Sequence, residues 1–122
     1  MKKLLPLIAV FAASVAFTAP AQADDSIAQS LCSYVKANDK NSLRKALTDN
    51  RIRVKNVYDG LVCDGLPLVR FAIKNNANDV GEFIVKQLPG NFVAGLGDVE
   101  WAQSNGFASS ALIEVIKTRS AG

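Results

Sequence analysis

Residues 67–90 read PLVRFAIKNNANDVGEFIVKQLPG, and this stretch predicts two short helices joined by a polar turn. Pro67 suits the first turn of a helix, and apolar residues then recur at helical spacing up to Ile73. Three asparagines interrupt that spacing, and Asp79 can cap a second helix that runs to Leu88. The stretch therefore predicts a helical hairpin, which the following Pro-Gly pair brings to an end.

A weak internal repeat extends the hairpin pattern towards the C-terminus. Shifting residues 69–88 by 30 places lays them on residues 99–118 with four identities, among them Asn75 on Asn105. The matching positions have physical roles, such as a small packing residue or a left-handed break after a helix. Residues 31–47 follow the same plan in a poorer register. We therefore predict a mainly α fold, built as a stack of helical hairpins.

The first hairpin has recognisable helix boundaries. Residues 24–37 place apolar side chains at helical spacing, and Asn38 suits the left-handed position that ends a helix. Asp39 can then cap a second helix that runs to about Asp49. The two helices predicted here would pack as the first pair of the stack.

The segment between the first two hairpins has a different pattern. Residues 51–56 alternate basic with mainly apolar side chains, and this period of two predicts an extended segment with one basic face. Asp59-Gly60 follows, and an Asp-Gly pair between two such runs predicts the turn of a short β-hairpin. Asp64-Gly65 predicts a second turn. Further on, residues 90–97 predict a glycine-rich loop, and the last helix is expected from about Ser109.

The N-terminal residues 1–23 have the pattern of a cleavable signal peptide. Two lysines precede an apolar run over residues 4–19, and Ala21-Gln22-Ala23 offers a small-x-small cleavage site. The run is shorter than the roughly 18–20 residues that a permanent membrane span needs. We therefore expect cleavage after Ala23 and a periplasmic product with no membrane span, folded as one domain over residues 24–122.

Charge and composition narrow the possible chemistry. Residues 1–23 hold two of the 14 basic residues and none of the 11 acidic ones, so the mature chain would carry a charge of +1. Such a balance gives no reason to expect nucleic-acid binding. The chain has no histidine, which removes the commonest general base and the commonest metal ligand. We expect no cofactor, no metal and no catalytic residue.

The two cysteines, Cys32 and Cys63, are an even number in an oxidising compartment, which favours a disulfide bond. In the chain-entropy model, closing a loop of this length stabilises a protein by roughly 3.5 kcal/mol. Two buried free thiols are the alternative. A redox-active pair would require closer spacing and a setting that lowers the thiol pKa.

Residues 65–72 are similar to the opening of an ankyrin repeat, Gly-x-Thr-Pro-Leu-His-x-Ala. Pro67, Leu68 and Arg70 replace the threonine, the proline and the histidine of that motif. The resemblance implies ankyrin-like helical hairpins joined by a short β-hairpin, without the threonine–histidine hydrogen bond that organises ankyrin turns.

A second resemblance covers residues 31–89. It is carried by Cys32, Asn38-Asp39, Leu43, Leu47, Tyr58-Asp59-Gly60, Cys63, Asp64-Gly65, Arg70-Phe71-Ala72, Asp79-Val80 and Leu88-Pro89. In these positions the chain resembles a family of small exported proteins of marine and enteric-type bacteria, catalogued as domain of unknown function 3718. The resemblance implies export and paired cysteines, and it implies no activity.

Five basic residues form the candidate partner-binding site: Arg44, Lys45, Arg51, Arg53 and Lys55. Asp49 is the one acidic residue among them, so this segment could dock on another envelope protein or on an anionic envelope component. The alternative is a solvated edge strand that its own charges protect against aggregation. Aromatic residues do not alternate with the charges, which again argues against nucleic acid.

The favoured function is that of a secreted, non-catalytic interaction domain, because stacked helical hairpins present grooves and projecting turns to partners. One alternative is a small envelope hydrolase or enzyme inhibitor that uses the acidic turns near Cys63, at Asp59 and Asp64. Another is a stress-induced envelope protein that acts through the basic face. Trp101 and Phe107 are expected to pack in the core rather than to line a groove.

Overall fold

The computed structural model describes residues 18–121, and their side chains from residue 26 onward. Most of the predicted signal peptide, residues 1–17, lies outside the described residues, so that expectation stays a prediction. The elements are α1 Thr18–Lys36, α2 Lys40–Asp49, α3 Val54–Val57, a 3-10 turn Tyr58–Gly60, β1 Val62–Cys63, β2 Leu66–Pro67, α4 Leu68–Lys74, α5 Asn78–Lys86, α6 Gly90–Gly95, α7 Asp98–Ser104 and α8 Leu112–Ala121. Within this range, no helix is long and apolar enough to cross a membrane.

Three helix pairs, α1–α2, α4–α5 and α7–α8, stack in two rows. The first helices of the pairs pack in the order α1, α4, α7, and the second helices pack in the order α2, α5, α8. Gly81 allows α5 to approach α8 closely, because a Cβ atom at this position would collide with the Leu112 side chain. The prediction of a mainly α stack of helical hairpins is confirmed, while the likeness to ankyrin repeats stays a prediction.

The turns within the three pairs share one hydrogen-bond pattern. In each, a residue with positive φ follows the first helix, and the next N–H group donates to the carbonyl oxygen five positions earlier. The left-handed residues are Asn38, Asn76 and Gly106, with φ of 57°, 55° and 91°. The donor–acceptor pairs are Asp39–Tyr34, Ala77–Ala72 and Phe107–Ala102, at 2.9, 2.9 and 2.8 Å. Asparagine and glycine adopt this conformation at low cost, which is why the sequence predicted the turns correctly.

One of the two predicted helix caps is correct. Asp39 accepts a hydrogen bond from the backbone N–H of Ser42 at 3.1 Å and caps α2 as expected. Asp79 does not cap α5, which begins one residue earlier. Instead, the Asn38 side chain accepts from the backbone N–H of Val80 at 3.0 Å. The cap of α5 therefore comes from the neighbouring turn and joins the first helix pair to the second.

The predicted extended segment over residues 51–56 is wrong. Arg51 has φ of 55° and ends α2 in a left-handed turn, and α3 begins at Val54. The buried residues Val54 and Tyr58 are four positions apart, which is the spacing of one helix face as well as of alternate strand positions. Asn56, which a strand would place on the same face, is exposed, whereas Val57, three positions after Val54, is half-buried, so the burial pattern is that of a helix.

The predicted β-hairpin exists, but its turn is at Asp64-Gly65 and not at Asp59-Gly60. Cys63 pairs with Leu66 across the turn, whose residues have φ of 52° and 80°. These two left-handed residues form the two-residue turn that suits a twisted hairpin. Asp59-Gly60 instead lies in the 3-10 turn, which Tyr58 anchors because its buried hydroxyl accepts from the backbone N–H of Val69 at 3.2 Å.

The predicted glycine-rich loop over residues 90–97 contains the helix α6. Val93 is buried on it, and α6 packs against α8. Tertiary burial thus overrides the low helix propensity of its glycines. The remaining boundaries differ by a few residues: α1 already includes Thr18, the first described residue, α4 begins directly after Pro67, and α8 begins at Leu112.

The predicted disulfide is present and joins α1 to β1. Cys32 and Cys63 are bonded, with their Cα atoms 5.7 Å apart. Cys63 lies on β1 with its side chain buried in the core, so the bond holds the hairpin against the first helix. The alternative of two buried free thiols is therefore excluded in this structure.

Candidate partner-binding groove

Four of the five predicted basic residues line one groove, which we call the basic groove. It is a cavity of about 670 Å³ between α2, residues 51–56 and the C-terminal part of α5. The basic side chains at its wall are Arg44, Arg51, Arg53 and Lys55. The structure therefore brings together cations from α2, from the turn after it and from α3.

The fifth predicted residue, Lys45, lies outside the groove. It donates to the Asp49 carboxylate at 2.8 Å, one helical turn away on the exposed face of α2. This hydrogen bond and the charge of Asp49 raise the pKa of Lys45. Arg44, by contrast, follows the buried residue Leu43 and stands on the side of α2 that borders the groove. One step along the helix thus separates a groove residue from a surface ion pair.

Lys55 lies on the first turn of α3, and its side chain is held in place by contact with an aromatic ring. Its ammonium group lies 5.1 Å from the centre of the Phe92 ring, a distance at which a cation is attracted to a ring face. Phe92 in turn packs edge-on against Tyr58, with ring centres 5.5 Å apart. Lys55 is therefore held near α6 while it lines the groove.

The groove has an excess of positive charge that no carboxylate in the described range balances. None of its lining residues is acidic. The ion pairs found between described residues are Lys45–Asp49, Arg70–Asp98 and Lys86–Glu82, and none includes a basic residue of the groove. Because the four cations share one concave surface, they attract an anion together more strongly than isolated surface charges would.

Arg51 occupies a conformation that arginine rarely adopts. With φ of 55° it ends α2, and the N–H of the next residue, Ile52, donates to the Leu47 carbonyl at 2.8 Å. A left-handed conformation costs an L-residue with a Cβ roughly 1–2 kcal/mol, whereas glycine adopts it freely. An arginine at this position therefore adds charge to the groove at a cost in stability.

Replacing Arg51 with glycine should raise the free energy of unfolding by up to ~1 kcal/mol, since relief of the left-handed strain exceeds the added entropy of the unfolded chain. The same change should weaken anion binding. Urea unfolding measures the first effect. Asn76→Gly is the matched control, because asparagine already tolerates the left-handed region and should gain less. An Arg51→Gly protein that is less stable than the wild type would contradict this account.

The two acidic residues near Cys63 both lie in backbone turns. Asp59 is exposed in the 3-10 turn, and Asp64 is exposed at the left-handed first position of the hairpin turn. Asp64 thus has a backbone reason for its place, since aspartate tolerates this conformation better than most residues. Among the described residues, no group of three or more potential ligand side chains could hold a metal ion. The alternative of a hydrolase or inhibitor stays a prediction that substitution of these two residues can test.

A buried ion pair that the sequence did not indicate connects α4 to α7. Arg70 on α4 donates from Nε to Asp98 Oδ1 at 2.7 Å and from Nη2 to the Leu96 carbonyl at 2.9 Å. The Asp98 side chain is 1% exposed, and its Oδ2 atom has no hydrogen-bond partner in the described part of the protein. Burial raises the pKa of Asp98, and the hydrogen bond and charge of Arg70 oppose that rise. The pair joins the second helix pair to the third.

Aromatic packing covers this ion pair. The Arg70 guanidinium lies 5.4 Å from the centre of the Trp101 ring, and Trp101 stacks on Phe107 at 5.6 Å. Both rings are half-buried and pack against the core rather than within it, so the prediction of core packing is confirmed only in part. Arg70 and Asp98 are 28 residues apart, so they are not equivalent positions of the 30-residue repeat. No local pattern in the sequence therefore indicated that they would pair.

Comparison with known protein families gives one match. The family described as "Protein of unknown function (DUF3718)" matches residues 31–94. The chain belongs to the DUF3718 family. The match confirms the resemblance over residues 31–89 and extends slightly beyond it. Both cysteines and every residue of the basic groove fall within the DUF3718 match, whereas α7 and α8 lie outside it. No curated protein and no solved structure matches the chain.

Proposed function

We propose that this member of the DUF3718 family is a secreted periplasmic protein that binds an anionic partner through the basic groove, without catalysis. The observation that carries the proposal is the convergence of four cations on one concave surface that no acidic residue lines. Cations gathered in this way repel one another in the free protein, and a bound anion relieves that repulsion.

The backbone at Arg51 supports the same proposal. Folding places an arginine where glycine or asparagine would fit with less strain, and its side chain lines the groove. Strained residues that the surrounding structure enforces are characteristic of binding and catalytic sites. At such a site we expect stability and binding to be opposed, so that Arg51→Gly increases the free energy of unfolding and weakens binding.

Charge reversal provides the direct test. The triple substitution Arg51→Glu, Arg53→Glu and Lys55→Glu should weaken binding of a fluorescent polyglutamate probe by at least about tenfold, which corresponds to ~1.4 kcal/mol. Binding by the wild type should also weaken steeply as salt is added. Fluorescence anisotropy at several salt concentrations measures both effects.

The matched control reverses three exposed lysines outside the groove, with Lys40→Glu, Lys74→Glu and Lys117→Glu. It changes the net charge by the same amount and should leave most of the affinity intact. Equal losses in the two triple variants would show that only overall charge matters, and the basic groove would then not be the binding site.

Export is tested by the mass of the natural product. The disulfide supports an oxidising compartment, because such bonds persist there and are rare in the cytosol. We expect protein recovered from the periplasm to begin at Asp24 and to gain two alkyl groups only after reduction. Intact-mass spectrometry, with and without reduction and alkylation, reports both points. A full-length cytosolic product with two free thiols would contradict the proposal of a periplasmic location.

A further inference from the structure

We infer that the occupant of the basic groove is an acidic peptide segment of another protein, with an apolar side chain seated between its carboxylates. The inference rests on the proposed function and narrows it to one class of partner. It follows from three properties of the groove: its apolar floor, its hydrogen-bonding side chains and its concave shape.

The floor between the cations is apolar. Phe83 from α5 and Ile52 from the turn after α2 both line the groove, and both are half-buried. A ligand made only of charged groups would leave these surfaces uncovered or would desolvate its own charges against them. An apolar side chain covering the Phe83 ring would instead bury hydrophobic surface on both partners, as the centres of protein interfaces do.

The polar groups of the wall suit a peptide. Three of the four cations are arginines, whose planar guanidinium groups match the geometry of carboxylates. The uncharged side chains of Thr48, Asn56 and Gln87 also line the groove, and none forms a hydrogen bond to another described residue. Hydroxyl and amide groups can donate to and accept from the backbone of an extended peptide.

The shape of the groove disfavours a lipid bilayer. A membrane-bound surface needs apolar side chains that project into the lipid beside its cations. Among the described residues, the one large hydrophobic side chain that is exposed is Val62, at 53%, and it lies on β1 outside the groove. A concave site with its apolar residues in the floor fits a narrow chain better than a flat surface.

The experiment compares fluorescent probes on the wild-type protein, so that it does not depend on a variant folding. Two glutamate-rich peptides differ only in a central residue, phenylalanine in one and serine in the other. The further probes are inorganic polyphosphate and vesicles containing phosphatidylglycerol. We expect the phenylalanine peptide to bind at least about tenfold more tightly than the serine peptide, and more tightly than the other two probes.

A substitution then locates the effect. Phe83→Ala, checked for folding by thermal unfolding, should reduce the difference between the two peptides to less than about threefold, because the ring that receives the apolar side chain is gone. Arg51→Glu, Arg53→Glu and Lys55→Glu together should weaken both peptides. Val62→Ala, which removes an exposed hydrophobic side chain outside the groove, should preserve the difference.

The possible results separate this inference from the proposed function. Equal binding of the two peptides, or tighter binding of polyphosphate or of the vesicles, would overturn the acidic peptide and leave an anion-binding groove. A difference between the peptides that survives Phe83→Ala would overturn the proposed seat of the apolar side chain. Failure of every probe to bind would overturn the proposed function itself.

Discussion

Replacing Arg70 with methionine should lower the free energy of unfolding by about 3 kcal/mol at neutral pH. The change leaves the carboxylate of Asp98 without its cation, although the side chain is 1% exposed. Breaking a buried pair from one side costs ~3–5 kcal/mol, and the lower end applies because Arg70 keeps 26% of its side chain in solvent. Methionine retains most of the packing against Trp101. Urea unfolding at constant temperature measures the loss.

Two controls make this result specific. Lys86→Met removes one partner of the exposed Lys86–Glu82 pair, whose atoms are 3.0 Å apart, and should change stability by less than ~1 kcal/mol. The double variant Arg70→Met, Asp98→Asn removes the buried charge as well and should recover much of the lost stability. If Arg70→Met were no more harmful than Lys86→Met, the ion pair would not be what joins α4 to α7.

The effect of Arg70→Met should also depend on pH, in a direction set by Asp98. Burial raises the pKa of this carboxyl above its usual value near 3.8, so the folded state holds its proton at a pH where the unfolded chain has released it. The contribution of Asp98 to stability therefore falls as the pH rises through this range. Without Arg70 the pKa rises further, because the group that favours the charged form is gone. The penalty of Arg70→Met should thus be smallest near pH 4 and largest at neutral pH.

The pH dependence is measured by repeating the unfolding curves between pH 4 and pH 7 for the wild type, Arg70→Met and Asp98→Asn. The asparagine variant cannot titrate at this position and provides the baseline. A penalty that increases towards acid pH would show that Arg70 does not favour the charged form of Asp98. A wild type that gains stability relative to Asp98→Asn as the pH rises would show that the folded protein lowers this pKa, which is the reverse of the expected behaviour.

The second large effect should come from loss of the disulfide. Cys32→Ala together with Cys63→Ala should lower the free energy of unfolding by roughly 3.5 kcal/mol, since the unfolded chain regains the freedom that the closed loop had removed. In a domain of this size, that loss corresponds to a fall in melting temperature of roughly 15–25 °C. Thermal and urea unfolding both report it. Alanine avoids placing a hydroxyl group at the buried position of Cys63.

Reduction of the wild-type protein is the matched control for the double alanine variant. Both lack the cross-link, so their unfolding curves should lie close together and well below that of the oxidised protein. Reductant should have no effect on the double variant. Wild-type protein that unfolds identically with and without reductant would show that the bond between α1 and β1 does not contribute to stability.

The candidate site was visible in part from the sequence. The cluster of basic residues stood out by composition alone, and four of its five members line the groove. Their arrangement was not predictable, because the same alternation of charges fits an edge strand and a helical turn. Phe83 on α5 and Gln87 directly after it lie some 30 residues further along the chain, so only the packing of α5 beside α2 brings them to the groove.

Local chemistry in the sequence was sufficient for the helix pairs, their left-handed turns at asparagine or glycine, and the pairing of the two cysteines. These features depend on residues close in the chain or on a simple count. Tertiary structure decided which Asp-Gly pair turns the hairpin, whether residues 51–60 are extended, and where Arg70 finds its carboxylate. Each of these choices depends on burial against a distant element, as when Tyr58 packs under Phe92 and accepts from Val69. Burial energies of that kind exceed local preferences of a few tenths of a kcal/mol, and no single stretch of sequence contains them.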